Sequence, residues 1–141
     1  MDQDALGPVE GPLMRARLHI RSGKRRLREG KVSAGIVTLY DSLLCGLEAY
    51  VARDENKKKL VINEGENLKD EKTVFAVLRR SGALDDTLNF NEFERLVERA
   101  LYEEVQVDWR ELLVRLERVF TQLGVMPFDE GALPPEKPGE F

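Results

Sequence analysis

VSAGIVTLYDSLLCGLEAYVA, residues 32–52, is apolar over most of a helical circumference. Helical spacing puts Ile36, Tyr40, Leu43, Leu47 and Tyr50 on one stripe and Val37, Leu44 and Val51 on another. A helix that is apolar nearly all round must be surrounded by other elements. The stretch therefore predicts the central second helix of an all-α bundle. Its polar exceptions, Asp41 and Ser42, mark the expected solvent side.

Immediately upstream, residues 12–29 place Leu13, Ala16, Ile20, Gly23 and Leu27 at steps of three and four, a narrow seam on one face of a first helix. Ala16 and Gly23 are small enough to let another helix approach closely. A glycine in a helix interior costs about 1 kcal/mol relative to alanine, so Gly23 marks such an approach. The seam is the expected helix interface, either to a partner or second copy or to the second helix of the same chain. "EGK" at 29–31 breaks the helix before the central one begins.

Downstream, residues 53–71 are charged and lack a period, which predicts a long mobile loop with one short extended piece at Leu60 to Ile62. A third helix over about residues 70–80 buries Val74, Phe75 and Leu78 and stops near Ser81-Gly82. Two later helices begin with the same device. Asn89 with Glu92, flanked by Leu88 and Phe93, and Asp108 with Glu111, flanked by Val107 and Leu112, each read as a capping box with a hydrophobic staple. The expected buried faces are Phe93, Leu96, Val97, Ala100 and Leu101, then Leu112, Leu113, Leu116, Val119, Phe120 and Leu123, with Gly124 closing the last helix. The prediction is a compact bundle of about five helices over 12–124. It is preceded by a flexible N-terminus, 1–11, and followed by an extended, proline-containing tail, 125–141, in which Phe128 and Leu133 are the residues able to dock back.

A chain of 141 residues is long enough to bury a core without metal or disulfide staples. The single Cys45 cannot form an internal disulfide, and the acidic start carries no signal-peptide pattern. Together with the absence of an apolar run of about 18–20 residues, these features predict a cytoplasmic protein without membrane contact. The net charge of −4 is unevenly placed. Residues 1–84 carry 16 Lys and Arg against 12 Asp and Glu, while residues 85–141 carry 6 against 14. Such asymmetry fits either an acidic partner for the basic part or attraction between the halves.

The densest basic stretch, Arg15, Arg17, Arg21, Lys24, Arg25, Arg26, Arg28 and Lys31, contains one acid, Glu29. Those cations are the candidate contacts for phosphates or an acidic partner. No aromatic residue interrupts them, so bases would lack a stacking platform. His19 is the only histidine, which excludes a multi-histidine metal site, and Cys45 has no CxxC companion. "SGKRR" lacks the glycine spacing of a phosphate loop. Adjacent carboxylates such as Asp85-Asp86 and Glu103-Glu104 do not converge on one helical face. No catalytic, cofactor-binding or metal residues emerge, and no cofactor is expected. Residues 87–93, TLNFNEF, resemble the end of an EF-hand loop. With Glu92 at the twelfth position, however, Ala83 and Asp86 stand where a ligand and the turn glycine are needed. The helix-cap reading accounts for the same letters, and calcium binding is not expected.

Residues 28–51, "REGKVSAGIVTLYDSLLCGLEAYV", resemble the helix pair of the HEPN domain, a bacterial and archaeal helical module, through Gly30, Gly35, Tyr40, Ser42 and Gly46. They are also similar to the tetratricopeptide hairpin, which has the same order of Gly, small, aromatic and small residues. HEPN ribonucleases carry an Arg and a His close together late in the chain, and this sequence has no histidine after His19. A second 34-residue copy is absent. Either resemblance implies a non-catalytic binding module. The expected function is protein–protein interaction, as an adaptor or regulatory subunit, with a protein partner or a homodimer. Nucleic-acid binding through 15–31 is the alternative.

Overall fold

The computed structural model describes residues 6–136. It is an all-α bundle of α1 (Gly7–Arg28), α2 (Val32–Ala52), a single turn α3 (Asp54–Lys57), α4 (Glu71–Arg80), α5 (Phe90–Ala100) and α6 (Trp109–Gln122), with a 3-10 turn at Glu130–Ala132. Of the expected terminal segments, residues 1–5 and 137–141 lie outside the described residues. The first helix starts at Gly7, ahead of the expected position. Pro8 lies in its first turn, where the missing N–H has no helical acceptor to lose.

The central helix has the predicted bounds, Val32–Ala52, and contacts α1, α3, α4, α5 and α6. It is also long and apolar enough to cross a membrane by length and composition, which corrects the expectation of no such run; 56% of that window is buried in the fold. Asp41 faces solvent as expected. Ser42 does not. It is fully buried, because its hydroxyl donates back to the Thr38 carbonyl (3.3 Å) and needs no water.

The hairpin of α1 and α2 is closely packed. A Cβ on Gly23 would sit 2.8 Å from Leu39 Cγ, and one on Gly35 would sit 2.8 Å from Leu27 Cγ and 3.0 Å from the Gly23 carbonyl oxygen. Two backbones therefore meet where both residues lack a side chain. The turn between them is closed by Gly30 at φ 82°, with Gly30 N–H donating to Leu27 O and Lys31 N–H to Arg26 O. This Schellman pattern needs a residue that accepts positive φ. The same two bonds recur after α4 at Gly82 and after α6 at Gly124, the stops expected there.

At the starts of α5 and α6, Asn89 accepts from Glu92 N–H (3.1 Å) and Asp108 from Glu111 N–H (3.3 Å). These are the N-cap halves of the predicted boxes; the described residues show no return bond from either glutamate. The expected extended piece at Leu60 to Ile62 has no strand partner, and the loop instead carries α3. It is also tied down: Arg80 pairs with Glu66 and donates to Val61 O (3.1 Å), while Val61 N–H donates to Ser81 Oγ (2.7 Å).

The expected tail docks. Val125 is fully buried beside Gly46, where a Cβ would stand 3.1 Å from Val125 Cγ2. Met126 and Phe128 pack against the core. Residues 125–136 thus form a strap along α1, held by Arg17 and Arg21.

Candidate functional site

The basic stretch is bound to the rest of the chain. Arg15 pairs with Glu48 (3.2 Å) on α2. Arg17 donates to Val125 O (2.9 Å) and lies over the Phe128 ring at 5.6 Å; burial lowers its pKa from the ordinary value. Arg21 donates to Pro134 O (2.6 Å), Lys24 faces Glu117 and Glu130 (3.7 Å each), and Arg25 reaches Glu136 (3.2 Å) and Glu29 (3.3 Å). Arg26 donates to the Thr38 hydroxyl, and Lys31 faces Glu29. Arg28 is exposed. The charge asymmetry between the halves is thus partly satisfied inside the molecule, through Glu117, Glu130 and Glu136.

The seam is likewise internal. Leu13, Ala16, Ile20, Gly23 and Leu27 are all buried, with Gly23 and Leu27 against Leu39 and Gly35 of α2. Of the two interfaces expected for the seam, the structure shows the one with the second helix of the same chain: the small residues serve the intramolecular hairpin.

The groups that titrate or react are dispersed. Burial pushes the Cys45 thiol up, partly offset by Arg15. Burial, and then the Glu94 carboxylate that accepts its hydroxyl (3.2 Å), push Tyr40 up to about 12. Burial lowers His19, with Asp41 opposing and Arg26 and Arg15 reinforcing. Asp85 is held well below the usual carboxylate range by Thr87 and Arg118, in the turn that leads into the EF-hand-like stretch. Among the described residues no three His, Cys, Asp or Glu side chains gather as a metal would need.

One surface feature escaped the sequence reading. Leu101, expected in the core, is 59% exposed, and the neighbouring Tyr102 is 90% exposed. The helix ends at Ala100, so Leu101 leaves the buried stripe that periodicity had assigned it; Phe90 takes a core place at the other end. The connection bearing the pair is fixed from α2. Ser33 Oγ donates to Glu103 O (2.6 Å) and accepts from Val105 N–H (2.8 Å), while Ser33 N–H donates to the Glu104 carboxylate (2.9 Å). Glu104 thereby caps a helix that has no acidic residue in its own first turn and no capping bond from the Lys31 side chain. Arg99 adds a bond to Glu103 (3.0 Å). Beside this turn lies an open depression of about 640 Å3, lined in part by Arg26, Ala34, Val37, Leu101 and Tyr102.

No protein family, curated protein or solved structure matches this chain. Two further hollows flank the start of α5. One, of about 510 Å3 between α4 and α5, is lined by Phe75 and Phe90 together with Lys72, Arg79 and Arg80. The other, of about 290 Å3 between α5 and α6, is lined by Leu96 and Leu112 together with Glu92, Asp108 and Glu111. The only signal of the exposed Leu-Tyr pair in the sequence is Tyr102 itself, an aromatic outside every apolar stripe and followed by two glutamates.

Proposed function

We propose that the chain is a non-enzymatic protein-interaction module, an adaptor or regulatory subunit, that docks its partner on the Leu101-Tyr102 turn. The observation that carries this reading is a pair of large apolar side chains exposed on a turn held in place by Ser33. Tyrosine is enriched among the residues that dominate binding energy. A turn already fixed before binding loses less conformational entropy on association. The adjoining depression is lined by apolar Val37 and Ala34 together with polar Arg26, Thr38 and Asp41, the mixture that an interface uses. The likeness of residues 28–51 to HEPN-like or tetratricopeptide-like hairpins agrees with a binding role.

Nucleic-acid binding through Arg15 to Lys31 ranks lower, since most of those cations already face carboxylates or carbonyls. A tagged pull-down from host lysate, with and without nuclease and washed at low and high salt, separates the two. The proposal expects a protein that survives nuclease and salt and is lost when Leu101→Ser and Tyr102→Ser are introduced together, with helical circular dichroism unchanged. Recovery of the same protein by the double variant would overturn it. Recovery of nuclease-sensitive material alone, fading between about 50 and 200 mM salt, would overturn it in favour of the basic stretch.

A further inference from the structure

The two hollows beside α5 carry opposite charge and share a rim, because Asn89 lines both. The α4–α5 hollow is lined by three cations and no carboxylate. Arg80 is neutralised by Glu66, but Lys72 and Arg79 have no ion-pair partner among the described residues. The α5–α6 hollow is lined by three carboxylates and one cation, Arg115, which pairs with Glu111 (2.7 Å). Glu92 and Asp108 have no ion-pair partner among the described residues, although the Asp108 carboxylate accepts the Glu111 N–H. Two unbalanced cations thus lie next to two unbalanced carboxylates, across the start of one helix.

Adjacent patches of opposite sign are self-complementary under a two-fold rotation about the line between them. Such a rotation lays the cationic hollow of one molecule on the anionic hollow of the other, and does so twice. We infer that a second copy of this chain is the occupant of both hollows, in a two-fold symmetric dimer whose axis passes beside Asn89. Two-fold closed dimers are the commonest oligomers, and their contacts are isologous. Apolar residues also line each hollow, Phe75 and Phe90 in one and Leu96 and Leu112 in the other, and add the apolar contact that charge alone would lack. This contact differs both from the buried α1 seam and from the Leu101-Tyr102 turn, so it stands independently of the proposed partner surface.

The test is sedimentation equilibrium of the full chain at about 50 mM and about 500 mM salt, conditions between which Debye screening shortens severalfold. The wild type is expected to dimerise and to weaken with salt. Lys72→Glu with Arg79→Glu makes both hollows acidic, and Glu92→Lys with Glu111→Lys removes the acidic one; each double variant is expected to dimerise at least about tenfold more weakly. Lys72 and Arg79, and Glu92 and Glu111, are all exposed, and circular dichroism checks that each variant remains helical. The decisive arm is an equimolar mixture of the two double variants, in which every facing pair of hollows is again opposite in sign. Heterodimers at near wild-type affinity are expected. A wild type that is monomeric at both salts, a dimer indifferent to both reversals, or a mixture no more associated than its components would each overturn the inference. Lys72→Gln with Arg79→Gln, which removes charge without adding repulsion, should weaken the dimer less than the reversal; equal weakening would also count against it.

Discussion

Gly35→Ala sets two known effects against each other, so the sign of its outcome tests the account of the α1–α2 hairpin. In an unconstrained helix interior the substitution stabilises by about 1 kcal/mol, because alanine is the better helix former. At this site the new methyl would lie 2.8 Å from both Leu27 Cγ and Cδ2, and 3.0 Å from the Gly23 carbonyl oxygen. Comfortable carbon–carbon contact is about 3.5–4.0 Å. Leu27 is only 2% exposed, and the oxygen belongs to backbone. Overpacking of a close-packed core costs about 1–3 kcal/mol, and the backbone contact favours the upper half of that range. The net expectation is a loss of about 1–2 kcal/mol, or roughly 3–10 °C in Tm for a chain of this size, measured by urea and thermal unfolding followed by far-UV circular dichroism. Leu27→Ala removes the atoms that clash, so the double variant should lose less than the sum of the two single losses. A rise in Tm for Gly35→Ala, or strict additivity of the pair, would refute the reasoning.

Asn89→Ala removes the side chain that accepts the Glu92 N–H and should cost about 1 kcal/mol equally in calcium and in chelator; a loss confined to calcium would return residues 87–93 to the EF-hand reading. His19 is held below its ordinary pKa by burial, with Asp41, Arg26 and Arg15 as the charged groups acting on it. The unfolded chain therefore takes up that proton first, so the stability contributed by His19 is complete above about pH 6.5 and falls as pH drops through the folded value. Unfolding curves at a series of pH values, with His19→Gln as reference, should show the wild type losing ground to the variant on acidification; a gain would contradict the burial.

The elements most legible in the sequence are those governed by neighbours in the chain. The bounds of α2, the glycine stops at Gly30, Gly82 and Gly124, and the caps at Asn89 and Asp108 depend on contacts within a few residues, and each was readable. What depended on distant residues was not. Glu104 caps a helix that begins about seventy residues earlier, and nothing near Ser33 announces it. The basic stretch looked like a free surface because its partners, Val125, Pro134 and Glu136, come more than a hundred residues later. Leu101 shows a different limit: a helical period continues on paper past the point where the helix stops, so one residue of overrun turned an exposed side chain into an expected core residue. Ser42 failed in the opposite sense, since a hydroxyl that can bond its own helix is not bound to the surface.

The strap has a consequence in time. Val125 fills the notch at Gly46, and Arg17 is covered by Val125 and Phe128. A chain is made from its first residue onward, at about 5–20 residues per second. The α1–α2 hairpin is complete in sequence by Ala52, yet the residue that plugs its notch is added about 80 residues after Gly46, roughly 4–16 s later at that pace. Until then the notch at Gly46 lacks Val125, and Arg17 and Arg21 lack the strap carbonyls that they bond. The strap can be tucked in only once Val125 has been made, so this notch is filled well after the hairpin that carries it.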